Sequence, residues 1–230
     1  MATRSELWVA HLGRVPYGDV VVLQERIRAA RQAGEIPDVL LMLEHPPVYS
    51  KGRRTEPGEL PLGDAFYRER GIEVTETERG GRVTYHGPGQ IVGYPIMAVG
   101  RVRPYIEAME RALIAALRDE GIEAEVPAEM IGVWTGGRKI ASVGVHISRG
   151  VSMHGFAVNV DNDLTPFEWI VPCGIDGVRM TSIAVETGAP ADLECFRRRA
   201  AWRFAEAFDL RQRLVSLPRL LDACREPVPA

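Results

Sequence analysis

Hydrophobic positions along the chain follow two periods, and the switches between them mark its elements. Leu7–Leu12 is a short apolar-leaning run that reads as a first strand. Val20, Leu23, Ile27 and Ala30 then recur at helical spacing, with Pro16 ahead and Gly34 at the end. The unbroken apolar run Val39–Leu43 predicts a strand buried on both faces, and a loop rich in Gly, Pro and charge is expected from His45 to about Gly63. Strands are expected at Ile72–Thr77, Arg82–Tyr85 and Gln90–Met97, the last two around a Gly-Pro-Gly turn that reads as a glycine-rich hairpin. Pro104 opens a second helix striped by Ile106, Met109, Leu113 and Leu117 and closed by Gly121. Val133–Trp134, Ile140–Ile147 and Val151–Val160 read as further strands, and a last helix carries Leu193, Phe196, Ala200, Phe204 and Phe208 after Asp192. Strands fill the middle, helices flank it, and the order is not a regular βαβ alternation. The expected class is α+β in two layers: one domain over residues 1–230, with a mixed, largely antiparallel sheet flanked by helices.

Composition narrows the function. A soluble chain of 230 residues buries about 70% of its unfolded surface, so its core needs no disulfide or metal. The net charge is −3, shared as −1 before and −2 after residue 150, so no basic arm invites nucleic acid. No apolar run reaches the ~18 residues of a membrane span, and the N-terminus lacks the longer apolar stretch of a signal peptide. A cytoplasmic protein, or an organellar one after a cleavage that the sequence does not show, is expected, with no nucleic-acid or membrane partner. Three cysteines, Cys173, Cys195 and Cys224, form no CxxC pair and argue against both a disulfide framework and zinc.

Four segments carry candidate chemistry. Arg79-Gly-Gly-Arg-Val-Thr-Tyr-His86 runs into Gly87-Pro-Gly-Gln90, where glycines let backbone lie against a ligand, yet the spacing is neither a dinucleotide fingerprint nor a Walker loop. Lys139 stands where the turn Gly136-Gly137 enters an apolar strand, a place where an amine is a solvated turn residue or, if desolvated, a proton carrier. Strand alternation puts His154, Phe156, Val158 and Val160 on one face and Met153, Gly155, Ala157 and Asn159 on the other, a small face suited to a slender apolar ligand. Cys173 lies between Pro172 and Gly174, where the glycine leaves backbone amides free to meet an oxyanion. His45, His86 or His154 would each serve as its base in a Cys–His pairing. Cys195, among helix residues, reads as core packing.

Together these segments resemble the lipoyl(octanoyl) transferase family. The likeness runs through Leu43-Glu-His-Pro-Pro-Val-Tyr49, Arg79-Gly-Gly and His86-Gly-Pro-Gly-Gln90, Lys139-Ile-Ala-Ser-Val-Gly144, His154-Gly155, Asn159, Asp161, Asp163-Leu164, Pro172-Cys-Gly-Ile175 and Thr181-Ser182. The resemblance implies transfer of an octanoyl group from acyl carrier protein to a lysine of lipoyl domains, through a thioester on Cys173 with Lys139 as its partner. It implies acyl-binding segments at Arg79, Gly80, Gly81, Arg82, Val83, Thr84, Tyr85 and His86, at Ser142, Val143 and Gly144, and at Gly155, Phe156 and Ala157. The donor would arrive on the carrier's phosphopantetheine, with no ATP, metal or other cofactor. The acceptors would be the lipoyl domains of 2-oxoacid dehydrogenase E2 subunits and the glycine cleavage H protein. The fold implied is that of biotin and lipoate ligases. An ATP-dependent ligase, a Cys–His acyl hydrolase and a non-enzymatic lipoyl-domain binder are the rival readings. Lys51, Arg53 and Arg54 are a candidate basic contact for an acidic carrier or, equally, a solvated turn.

Overall fold

A computed structural model of the chain describes residues 4–128, 130–171 and 177–224. In chain order its elements are β1 (Glu6–Arg14), α1 (Tyr17–Ala33), β2 (Asp38–Glu44), β3 (Val48–Lys51), α2 (Gly63–Glu69), β4 (Glu73–Glu76), β5 (Thr84–His86), β6 (Gln90–Ile96) and α3 (Val102–Arg118). There follow β7 (Val133–Thr135), β8 (Arg138–Ser148), β9 (Val151–Asn159), α4 (Thr165–Glu168), α5 (Ile183–Thr187), α6 (Leu193–Ala207), β10 (Arg211–Leu214) and α7 (Leu217–Ala223).

The main sheet runs β10-β1-β2-β6-β9-β8-β7. β10, β1 and β2 are parallel and every later pairing is antiparallel, so the sheet is mixed and mainly antiparallel as expected. β2 shows why a strand here is apolar at every position. Leu40 and Met42 enter the core beneath α3 and α6, while Val39, Leu41 and Leu43 enter the core beneath α1 and α7. α1 ends on Gly34 at φ 77°, whose N–H bonds back to the carbonyls of Ala30 and Arg31. α3 begins at Val102, before Pro104, because the first turn of a helix has no partner for the amide that proline lacks.

Two expectations are corrected. The stretch 45–63 is not all loop: Val48–Lys51 is β3, centre of a second sheet ordered β4-β3-β5. Its partners come from residues 73–76 and 84–86, so no local pattern announces it. The Gly-Pro-Gly turn does not close a hairpin, since β5 belongs to this small sheet and β6 to the large one. The turn instead carries the chain between sheets. Tyr49, Tyr67, Val83, Tyr85, Phe167 and Ile170 fill the third core beneath the small sheet. Among the described residues no helix is long and apolar enough to cross a membrane.

Phe204 is fully buried, 4.5 Å from Phe208 and 6.1 Å from Phe156 between ring centroids, which fastens α6 to β9. Phe204→Ala should lower unfolding free energy by about 3–5 kcal/mol. Urea denaturation checks this, and a loss below ~1 kcal/mol would show that the core refills the site.

Candidate active site

β8 and β9 pair without a register break from Ala141 opposite Val158 to Ser148 opposite Val151. The ribbon Gly80–Gly81 is laid against them. Gly80 N–H donates to Val145 O at 2.9 Å, and a Cβ on Gly144 would stand 3.0 Å from Gly80 O. A Cβ at either position would crowd a backbone carbonyl at 3.0–3.1 Å, so glycine suits the approach. Between ribbon, strands and α3 lies a cavity of about 530 Å³. Of the expected site residues it gathers Arg79, Gly80, Gly81, Arg82, Thr84, His86, Lys139, Ser142, Val143, Gly144, Gly155, Phe156 and Ala157. Val83 and Tyr85 do not line it. Alternation along β5 turns Thr84 and His86 inward and sends Tyr85, with Val83 before it, into the third core.

Arg79 holds the ribbon in place. Its Nε and Nη2 donate to Ser50 Oγ at 3.1 and 3.0 Å, Nη2 to Ser50 O at 2.5 Å, and Nη1 to Gly80 O at 3.0 Å. Ser50 Oγ is then left to donate to His86 Nε2 at 3.4 Å, and His86 Nδ1–H donates to Gln90 Oε1 at 2.7 Å. Gln90 Nε2 continues to Asn159 Oδ1 at 2.8 Å, and Asn159 Nδ2 to Thr181 O at 2.9 Å. Thr181 N–H reaches Lys139 O at 2.9 Å. One chain of hydrogen bonds thus ties the histidine end of the cavity to the lysine end.

Lys139 is 4% exposed, so it is no solvated turn lysine. Its amine lies 5.7 Å from the Trp134 ring centre. Its N–H donates to Arg179 O at 2.8 Å, which lays the segment after the Pro-Cys-Gly stretch alongside it. A Cβ on Gly132, at φ 107°, would stand 2.9 Å from Lys139 Cε. Gly132 N–H donates to Glu110 Oε1 at 2.8 Å. Burial pushes the Glu110 carboxyl up, while the Gly132 bond and the charge of Lys139 draw it down. Cys173, with Pro172 to Asp176, lies outside the described residues. Cys195 is half-buried in the first turn of α6, and Cys224 is buried at the end of α7.

His154 departs from strand alternation. Its φ of 58° puts its ring beside Tyr17 and Tyr94 rather than on the Phe156 face, which packs into the core under α3 and α6. It joins His45 and His86 in a cluster around Tyr17. Burial is the main cause that lowers all three: His45 to about 4, His154 to about 3, and His86 well below the usual range. His45 Nδ1–H donates to Val15 O at 2.7 Å and its Nε2 accepts from Tyr94 OH at 2.8 Å, both bonds of a neutral ring. Tyr17, Ser50, Tyr94, Trp134 and Glu110 carry no spacing signal, and sequence reasoning misses them. Among the described residues no group of three or more His, Cys, Asp or Glu side chains is placed to hold a metal ion. Lys51 and Arg53 pair with Glu76 and Glu78, whereas Arg54 lines the cavity.

The sequence profile of the lipoyl protein ligase A/B catalytic domain matches residues 16–205. A protein of Solibacter usitatus named octanoyltransferase is 46% identical over 202 residues, covering 86% of this chain and 91% of its own. One of Geobacter metallireducens with the same name is 40% identical over 231 residues, covering 97% and 100%. Among solved structures, a bipartite lipoate protein ligase of Thermoplasma acidophilum superposes with a TM-score of 0.73 at 16% identity, covering 97% of this chain and 91% of that one. The biotin protein ligase of Aquifex aeolicus does so with 0.52 at 12%, covering 89% and 69%. At such identities these likenesses speak for the fold alone, and it is the ligase fold expected from the sequence.

The buried histidines make stability depend on pH. Their folded pKa values lie below the ~6.5 of an unfolded histidine, so below that pH the unfolded chain binds more protons. Stability should be full above pH ~6.5 and fall by up to about 1.4 kcal/mol per pH unit for each histidine down to pH ~4. His45→Gln keeps a donor and an acceptor but does not titrate, and should flatten that fall. Urea midpoints at pH 7, 6 and 5 measure it; equal slopes in both proteins would count against a neutral buried His45.

Proposed function

Because the chain belongs to the lipoyl protein ligase A/B catalytic-domain family, we propose that residues 1–230 form one cytoplasmic catalytic domain that transfers an octanoyl group from acyl carrier protein to a lysine of a lipoyl domain. Lipoyl domains of 2-oxoacid dehydrogenase E2 subunits and the glycine cleavage H protein are the proposed acceptors. The observation that carries this reading is the cavity itself. It is a slot with an apolar wall of Val102, Ile106, Val143, Phe156 and Ala157, and it has a buried amine, Lys139, in its lining. Each CH₂ buried in such a slot contributes about 0.8 kcal/mol, enough to select an acyl chain.

The chemistry follows from the residue types. The Cys173 thiolate attacks the carrier's thioester carbonyl, forming a carbon–sulfur bond as the pantetheine thiolate leaves. The Lys139 ammonium favours the attacking thiolate and gives its proton to the leaving one. The acceptor's amine then attacks the acyl-cysteine, Lys139 takes up the amine's proton, and Cys173 returns as thiolate. Thioester exchange is nearly neutral in energy and amide formation runs downhill, so neither half-reaction calls for ATP. Backbone amides beside the glycines would receive the oxyanion of each tetrahedral intermediate.

The test is intact-mass measurement after mixing the protein with octanoyl-carrier protein and no ATP. Wild type, Cys195→Ser and Cys224→Ser should each gain one octanoyl group, and Cys173→Ser none. Adding lipoyl domain should discharge the adduct onto a lysine. Acylation of the lipoyl domain from free octanoate and ATP, with no adduct, would replace this reading by a ligase, and discharge to free acid alone by a hydrolase.

A further inference from the structure

A second cavity of about 1050 Å³ adjoins the acyl slot, and among the described residues Tyr17 and His154 are the two that line both. Their rings stack with centroids 6.5 Å apart and planes 14° apart. Thr77 laces them together: Tyr17 OH donates to Thr77 Oγ1 at 3.4 Å, and that oxygen lies 3.3 Å from His154 Nε2. His154 N–H donates to Gln24 Oε1 at 2.7 Å, which anchors the pair to α1. A non-glycine residue held at positive φ is a cost the fold carries here, and its effect is to swing this ring into the partition. Nδ1 of His154 is buried without a hydrogen-bond partner, a further cost.

The position of the partition matches a chain length. The hypothetical Cβ of Gly132 would be 3.4 Å from Lys139 Nζ and 2.6 Å from Ala141 O, so the amine lies no more than about 6 Å from that oxygen. His154 pairs with Val145 four residues farther along β8, about 13 Å of strand. An octanoyl chain has seven carbon–carbon bonds of about 1.5 Å, roughly 9 Å in zigzag, and its methyl needs a further contact of about 4 Å. The two lengths are of the same order. Beyond the partition the cavity is charged, with Glu25, Arg28, Glu76 and Glu78 in its lining, so a longer chain gains little there.

We propose that the stacked Tyr17–His154 pair is the end wall that limits the acyl group to about eight carbons. The inference rests on the transferase reading above and names the residues that set its substrate. Carrier proteins bearing C8 and C12 acyl groups test it, with kcat/KM measured for transfer to a lipoyl domain. Tyr17→Ala removes one ring, and His154→Asn shortens the other while keeping a residue that tolerates positive φ. Either variant should raise the C12-to-C8 ratio of kcat/KM by about tenfold or more. His154→Asn carries the same expectation should Tyr17→Ala fail to fold. Wild-type activity with an unchanged ratio in the folded variants would overturn the wall and leave the transferase reading standing. A wild type that transfers neither chain would overturn the transferase reading, and the wall with it.

Discussion

The cavity is shaped by Arg79, which ties the small sheet to the large one. Its guanidinium grips Ser50 of the small sheet, and the next residue, Gly80, bonds to Val145 of the large one. A buried guanidinium is costly unless its donors are satisfied, and the bonds to Ser50 and Gly80 offset that cost. The flat, side-chain-free ribbon this clamp holds in place leaves an apolar slot rather than a filled core. Moving Arg79 would therefore change the slot, the His86 hydrogen-bond chain and the contact between sheets together.

The same cation shapes the electrostatics. Burial does most to keep His86 and His154 neutral, and the charge of Arg79 adds to it. Uncharged rings suit the end of a slot that takes hydrocarbon, since an imidazolium there would have to be desolvated each time a chain entered. Lys139, the amine of the proposed mechanism, lines the other end. There Glu110, through the Gly132 amide, backs the position of Lys139. The buried amine at one end and neutral rings at the other give the slot a direction.

The fold is common to ATP-using ligases and to proteins named as transferases, so architecture alone does not choose between them. What bears on the choice is which groups the fold brings to the slot. An amine buried in the lining of an apolar slot suits the acyl transfer proposed above, where a ligase would need to hold a nucleotide.

Much of this protein was legible from sequence. Continuous apolar runs such as Val39–Leu43 reported strands covered on both faces, and 3.6-residue stripes located α1, α3 and α6 with their ends. The glycine ribbon, Lys139 and the small-residue strand were marked by residue type and spacing, because backbone approach and strand-mouth position depend on local chemistry. What only the tertiary structure decided depends on contacts between distant segments. β3 is a strand because residues 73–76 and 84–86 flank it, and the Gly-Pro-Gly turn bridges two sheets because its two strands found different partners. Val83 and Tyr85 left the site because a third core lay behind β5. His154 faces Tyr17 because one positive φ, held by a bond to α1, overrides a two-residue period that sequence must assume regular.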